Sequence, residues 1–168
     1  MERRELFSFL SSSAKDMVQG KKEADTIILR PPYYSDADAF ATECQECEGV
    51  CASLCQEQII VIAEDKTPVL DLSTRGCTYC DECAVGCPKD VLLVENKRLI
   101  EASISINKSK CLSWQGVMCF SCKDPCLENA IDFKAMFMPE INDKCTNCGF
   151  CIGRCPAEAI EIQKVDIS

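Results

Sequence analysis

Sixteen cysteines stand in a chain of 168 residues, and they fall into four groups of four with none left over. The groups are Cys44, Cys47, Cys51, Cys55; Cys77, Cys80, Cys83, Cys87; Cys111, Cys119, Cys122, Cys126; and Cys145, Cys148, Cys151, Cys155. A chain that commits so many positions to thiols uses them either as cross-links or as metal ligands. Disulfides need an oxidising compartment, and no secretory segment is visible to supply one. Structural zinc takes four cysteines too, but as two CxxC pairs separated by a longer loop. Three cysteines in close succession, then a fourth before proline, do not fit that pattern.

The second and fourth groups read C-x2-C-x2-C-x3-C-P without deviation. This is the run with which bacterial ferredoxins hold [4Fe–4S] clusters, and its fourth cysteine reaches the neighbouring cluster. Pro88 and Pro156 suit that role, because a fixed φ turns the chain away from the first three ligands. Gly149, directly after Cys148, is expected where backbone comes close to inorganic sulfide. The first group is C-x2-C-x3-C-x3-C, followed by Gln56 rather than proline. The third is C-x7-C-x2-C-x3-C, followed by Leu127, with Leu112 to Met118 opening its first gap. Each group still offers four thiols, so all sixteen cysteines are expected to ligate four [4Fe–4S] clusters; a three-iron cluster in the first or third group is the alternative. The chain has no histidine, which excludes Rieske ligation and histidine-held haem.

First cysteines of successive groups are 33, 34 and 34 residues apart, so the chain is four quasi-repeats behind an N-terminal segment. Short β-branched runs follow the groups: Ile59–Ile62, Val91–Val94, Ala130–Phe133 and Ala159–Ile162. Others precede them, at Val69–Leu72, Ser103–Ile106 and Met138–Ile141. Such runs read as strands, and segments such as Pro156–Ala159 as single helical turns. The expected fold class is α+β, with two ferredoxin-like 2[4Fe–4S] lobes in tandem behind an extended N-terminal segment. Last-cysteine spacings of 32, 39 and 29 residues place the break between lobes after the second group. The boundaries expected are 1–39 for an N-terminal helix and strap, 40–100 for the first lobe and 101–168 for the second. A nested pairing, groups one with four and two with three, stays open. Lobes of roughly 60 residues bury thin cores, so the clusters are expected to supply stability as well as redox chemistry. Tyr79, Phe120, Phe150 and Trp114 are expected to pack around the clusters and keep water out.

Met1–Leu10 carries Arg3-Arg4, which matches the opening of a twin-arginine export motif, but Ser11 to Asp25 is polar where an apolar stretch would follow. No run is long enough to span a membrane. A cytoplasmic location is therefore expected, with Leu6, Phe9 and Leu10 on one face of an amphipathic helix. Arg30-Pro31-Pro32-Tyr33-Tyr34 is an extended segment fixed by its prolines. The formal charge of −9 becomes roughly −17 once four oxidised cubanes, each about −2, are counted. That disfavours nucleic acid and acidic membranes and favours a basic patch on a protein partner.

Together these features resemble the NapF-type ferredoxins of the periplasmic nitrate reductase system. The features are Arg3-Arg4 without a following apolar run, Arg30-Pro31-Pro32 with an aromatic, Phe40 shortly before Cys44, the third group's C-x7-C-x2-C-x3-C, and the closing C-x2-C-G-x-C-x3-C-P. The likeness covers nearly the whole chain, and the extra residue in the first group departs from it. It implies a cytoplasmic, four-cluster accessory protein that acts on the molybdenum-containing catalytic subunit of nitrate reductase before export. No substrate pocket or catalytic group is suggested, so the chain is not expected to be an enzyme. The rival is a polyferredoxin-type electron-transfer subunit of a formate dehydrogenase, hydrogenase or other oxidoreductase; a cluster-based redox sensor is a third class, for which no DNA-binding helix is visible.

Overall fold

The computed structural model describes residues 28–165. The amphipathic helix expected around Leu6–Leu10 lies outside them. The described chain is a small mixture of short helices and strands. Helices α1 (Asp38–Glu43), α2 (Val50–Leu54) and α3 (Glu82–Val85) all lie in the first half. Strands β1 (Ile60–Ile62), β2 (Pro68–Leu70), β3 (Ala102–Ile106), β4 (Ile131–Lys134), β5 (Met138–Ile141) and β6 (Ile160–Lys164) form three two-stranded antiparallel sheets.

Pairing follows the alternation of apolar residues. In the β3–β6 sheet Ile104 faces Ile162 and Ile106 faces Ile160, so one face of the ribbon is apolar and buried. The β4–β5 hairpin pairs Ile131 with Ile141, and β1–β2 pairs Ile60 with Leu70. Each hairpin joins the strand after one cysteine group to the strand before the next: β1–β2 links groups one and two, and β4–β5 links groups three and four. In the second half the outer strands β3 and β6 also meet, closing groups three and four into one unit.

The first half does not close in the same way. Val91–Val94, expected as a strand, forms none; Val91 and Leu92 are buried, and a short 3-10 turn occupies Val94–Asn96. Its partner segment explains why. Leu93 N–H donates to the Tyr33 carbonyl at 2.8 Å and Arg98 N–H to the Pro32 carbonyl at 2.9 Å. Pro31 and Pro32 have no N–H to return, so isolated hydrogen bonds replace a ladder. The helical turn expected after the last cysteine is also absent at Pro156–Ala159. That segment is a turn in which Glu158, at φ 47°, donates to the Cys155 carbonyl at 3.2 Å. Two helical turns of the first half instead lie inside the cysteine runs, with α2 carrying Cys51 and α3 carrying Cys83.

Two apolar cores result. One gathers Leu29, Tyr33, Phe40, Ile60, Leu70 and Leu92 with Cys51 and Cys83; the other gathers Ile104, Ile131 and Ile160 with Cys122 and Cys151. Cysteines thus sit at the centre of both.

Candidate metal centres

Four cavities open inside these cores, and each is lined by four cysteines. Cys44, Cys47, Cys51 and Cys87 line site I. Cys77, Cys80, Cys83 and Cys55 line site II. Cys111, Cys119, Cys122 and Cys155 line site III, and Cys145, Cys148, Cys151 and Cys126 line site IV. The rule is the same throughout: three cysteines come from one sequence group and the fourth from its hairpin-linked neighbour. Groups one and two exchange their fourth cysteines, and so do groups three and four; groups one and four do not meet in this way.

Backbone conformation produces the three-cysteine loops. Tyr79 and Asp81, at φ 55° and 68°, wind the chain between Cys77, Cys80 and Cys83, and Asn147 and Gly149, at φ 57° and 87°, do the same after Cys145. Left-handed residues tighten the turn so that successive thiols face one volume. Gly149 takes its left-handed φ within the lining of site IV, and a Cβ there would also stand 2.9 Å from Leu72 of the other core. The exchange of fourth cysteines follows from the prolines in part, since Pro88 lines site I beside Cys87 and Pro156 lines site III beside Cys155.

The donor set is sulfur only, and it is prepared for negative charge. Ala130 N–H points at Cys126 Sγ at 3.2 Å, Ala159 N–H at Cys155 Sγ at 3.2 Å, and Tyr79 N–H at Cys77 Sγ at 3.4 Å. Such N–H···S bonds favour the thiolate and tune a bound cluster. Burial works the other way on the free thiol. It pushes Cys51, Cys77 and Cys122 up to about 11 and Cys83 and Cys151 up to about 12, with neighbouring thiols adding repulsion. Without a cation these sulfurs hold their protons; a cationic iron core is what makes them thiolates. All sixteen cysteines are free. Among the described residues no three His, Cys, Asp or Glu side chains converge on a single ion. Thiols that ring a cavity rather than a point suit a cubane of several irons better than one zinc, whose four sulfurs must all lie about 2.3 Å from it. The residues present therefore fit [4Fe–4S] clusters.

The aromatic residues have individual jobs. Phe150 lines site IV, and Phe120 packs on Phe133 with ring centroids 4.7 Å apart. Trp114 donates its indole N–H to the Pro139 carbonyl at 3.1 Å and lies under the Lys108 ammonium, which pins the group-three insert to β5. The Arg30–Tyr34 segment contributes more than a strap. Pro31, Pro32 and Tyr33 line site II, and Phe40 lines site I. Arg30 stacks over Phe40 at 4.8 Å and Arg98 over Tyr34 at 3.9 Å, while the Tyr34 hydroxyl donates to Glu101 at 2.6 Å. Nothing in the local sequence beyond its aromatic content marked these residues as cavity walls.

Residues 139–161 match the 4Fe-4S binding domain family. The chain is 28% identical to the ferredoxin-type protein NapF of Escherichia coli K12 over 90% of its own length and 94% of that protein's. It is 29% identical to NapF of Haemophilus influenzae, over 88% and 86% of the two chains. The ferredoxin-type protein NapG of Haemophilus influenzae is 30% identical over 84% of this chain, which spans 61% of that longer relative. The cysteine sites and these matches define an iron–sulfur protein of the ferredoxin type. It is related to NapF and NapG, and the likeness to NapF-type ferredoxins holds along nine-tenths of the chain. No helix among the described residues is long and apolar enough to cross a membrane.

Proposed function

We propose that the chain carries four [4Fe–4S] clusters, one in each of sites I to IV, and serves as a cytoplasmic electron-transfer and maturation accessory for the catalytic subunit of periplasmic nitrate reductase. The observation that carries this reading is the three-plus-one exchange of cysteines at four cavities, in a chain similar to NapF along most of its length. In this reading residues 40–100 and 101–168 are tandem two-cluster lobes, preceded by an N-terminal segment of residues 1–39. A bound cluster supplies one-electron chemistry at each site. The protein's own contribution is ligation, exclusion of water by Tyr33, Phe40 and Phe150, and N–H donors that stabilise thiolate charge. No other catalytic group is needed, so the chain is not itself an enzyme.

An anaerobic pull-down of the tagged chain from nitrate-grown cells, with iron and sulfide analysis of the product, tests both halves of the reading. Recovery of the unexported nitrate reductase catalytic subunit together with a full iron complement supports it. A second reading is a permanent electron-transfer component of a larger oxidoreductase. It is favoured by a 30% identity, over 67% of this chain, to one component of the Na(+)-translocating ferredoxin:NAD(+) oxidoreductase complex of Acetobacterium woodii; the match spans 35% of that relative. Stoichiometric co-purification with an oxidoreductase other than nitrate reductase would select that reading.

A further inference from the structure

The two cores touch where the loops of cysteine groups two and four meet. Cys77 N–H donates to the Cys148 carbonyl at 2.7 Å. These two cysteines line different cavities, Cys77 in site II and Cys148 in site IV. The approach is backbone on backbone. A Cβ at Gly76 would stand 2.5 Å from the Phe150 nitrogen and 2.6 Å from the Cys148 carbonyl oxygen; one at Gly153 would stand 2.5 Å from the Thr74 carbonyl oxygen. Real side chains do not come so near, so glycine is required at both places.

One phenol holds the contact closed. Tyr79, two residues after Cys77, donates its hydroxyl to the Thr146 carbonyl at 2.5 Å and accepts the Ile100 N–H at 3.1 Å. It thereby ties the site II loop to the site IV loop and to the buried connection between the halves. Simple packing of two cores would be served by apolar side chains, which gain from burial. Here the side chains are removed and two ligand-bearing residues are joined by a hydrogen bond. That leaves a short path from one sulfur to the other: through Cys77 to its amide, across one hydrogen bond, and through the carbonyl and Cβ of Cys148.

We propose that the Cys77–Cys148 contact, with Tyr79 as its positioning residue, is the electronic junction between the two halves of the chain. The proposal rests on the four-cluster reading above. Within each half the sites already adjoin, since Cys51 and Cys83 share one core and Cys122 and Cys151 the other. The junction therefore sets the order as site I, site II, site IV, site III, which is not the order of the sequence. Crossing it moves a single electron, lost on one side and gained on the other, with no bond made or broken and no proton carried; a one-electron carrier protein supplies it.

The test uses the full chain, loaded anaerobically and reduced with dithionite, and reads spin–spin broadening and power saturation by EPR alongside iron content. Cys47→Ser combined with Cys119→Ser leaves a full set of cysteines only at sites II and IV; with about eight irons per chain and no three-iron signal in its Mössbauer spectrum, broadening between two clusters in that chain arises at this junction. Its presence is expected; two clusters with isolated, unbroadened signals would overturn the proposal. Should that chain not load, the intact chain decides. Gly76→Ala and Tyr79→Phe should keep the iron content and lose inter-half broadening. Unchanged broadening in both overturns the junction, and iron lost from site II in Tyr79→Phe overturns the positioning role. A shortfall of iron in the unmutated chain identifies failure of the four-cluster reading itself.

Discussion

Substituting Cys87 should damage a site whose other three ligands lie far away in sequence. Cys87 belongs to the second group by spacing but lines the cavity of Cys44, Cys47 and Cys51. Four loaded cubanes hold about 16 irons; Cys87→Ser removes one ligand from site I and should leave about 12 if that cluster is lost, or about 15 if three irons stay. The double variants separate the possible ligand sets. Cys87→Ser with Cys47→Ser strikes one site twice and should again give about 12, whereas Cys87→Ser with Cys80→Ser strikes sites I and II and should give about 8, following the rule that changes at one site do not add and changes at separate sites do. Iron per chain, with Mössbauer spectra to distinguish three-iron from four-iron products, is the assay. If Cys87 and Cys80 behave as one site while Cys87 and Cys47 behave as two, ligation follows the sequence groups and the exchange is wrong.

Three further outcomes are expected. Phe40 is buried in the first core under Arg30 and lines site I, so Phe40→Ala should cost about 3–5 kcal/mol and hasten loss of that cluster in air, followed by visible absorbance. Gly149→Ala places a Cβ against Leu72 at φ 87° and should destabilise the loaded chain by about 1–3 kcal/mol, read from its denaturant midpoint. The third concerns protons. Burial raises the thiols of Cys51, Cys77, Cys83, Cys122 and Cys151, so below about 11 the metal-free form of each is protonated and iron must displace those protons. Cluster retention should therefore weaken as pH falls, and chelation at neutral pH should take up about four protons per cluster on the thiolates and about four or more on the released sulfide, measurable in a pH-stat once the protons shed by the chelator are subtracted. Proton release on chelation would contradict the sign.

The sulfur chemistry was legible in the sequence because cysteine spacing encodes it locally: a C-x2-C-x2-C run makes a tight loop whatever surrounds it. Most strands were legible too, since Ile59–Ile62, Ser103–Ile106 and Met138–Ile141 are short β-branched or apolar runs between turns. The failure at Val91–Val94 has a tertiary cause. Strand propensity there is high, but the backbone alongside contains Pro31 and Pro32, about sixty residues earlier in the chain. The helical turn expected at Pro156–Ala159 was lost to a left-handed Glu158, a conformation that no residue type announces. Exchange of the fourth cysteines was foreseeable for the two C-P groups alone; for Cys55 and Cys126, which no proline follows, only the fold shows it. The walls of the sites were least legible, because Tyr33 and Phe40 reach their cavities through long-range packing.

The exchange also decides what holds the chain together. Three sheets of two short strands each are marginal by themselves, and neither core is large. A fourth ligand taken from its own group would close a loop of only a few residues. The exchanged ligand instead joins Cys51 to Cys87 and Cys122 to Cys155, spans of 36 and 33 residues. Because loop-closure entropy grows with the logarithm of span, each long closure removes about 2 kcal/mol more freedom from the unfolded chain than a local one. The clusters then act as cross-links that reinforce the packing those segments already share. Iron chelation under anaerobic conditions should accordingly abolish the far-ultraviolet signature of β-structure and the hydrogen-exchange protection of the Ser105 and Asp132 amides, which lie at hydrogen-bonded positions of the β3–β6 and β4–β5 ladders, at the rate at which cluster absorbance is lost. Amides that stay protected after the iron has gone would show that the apolar cores stand without it, and the cross-link argument would fail.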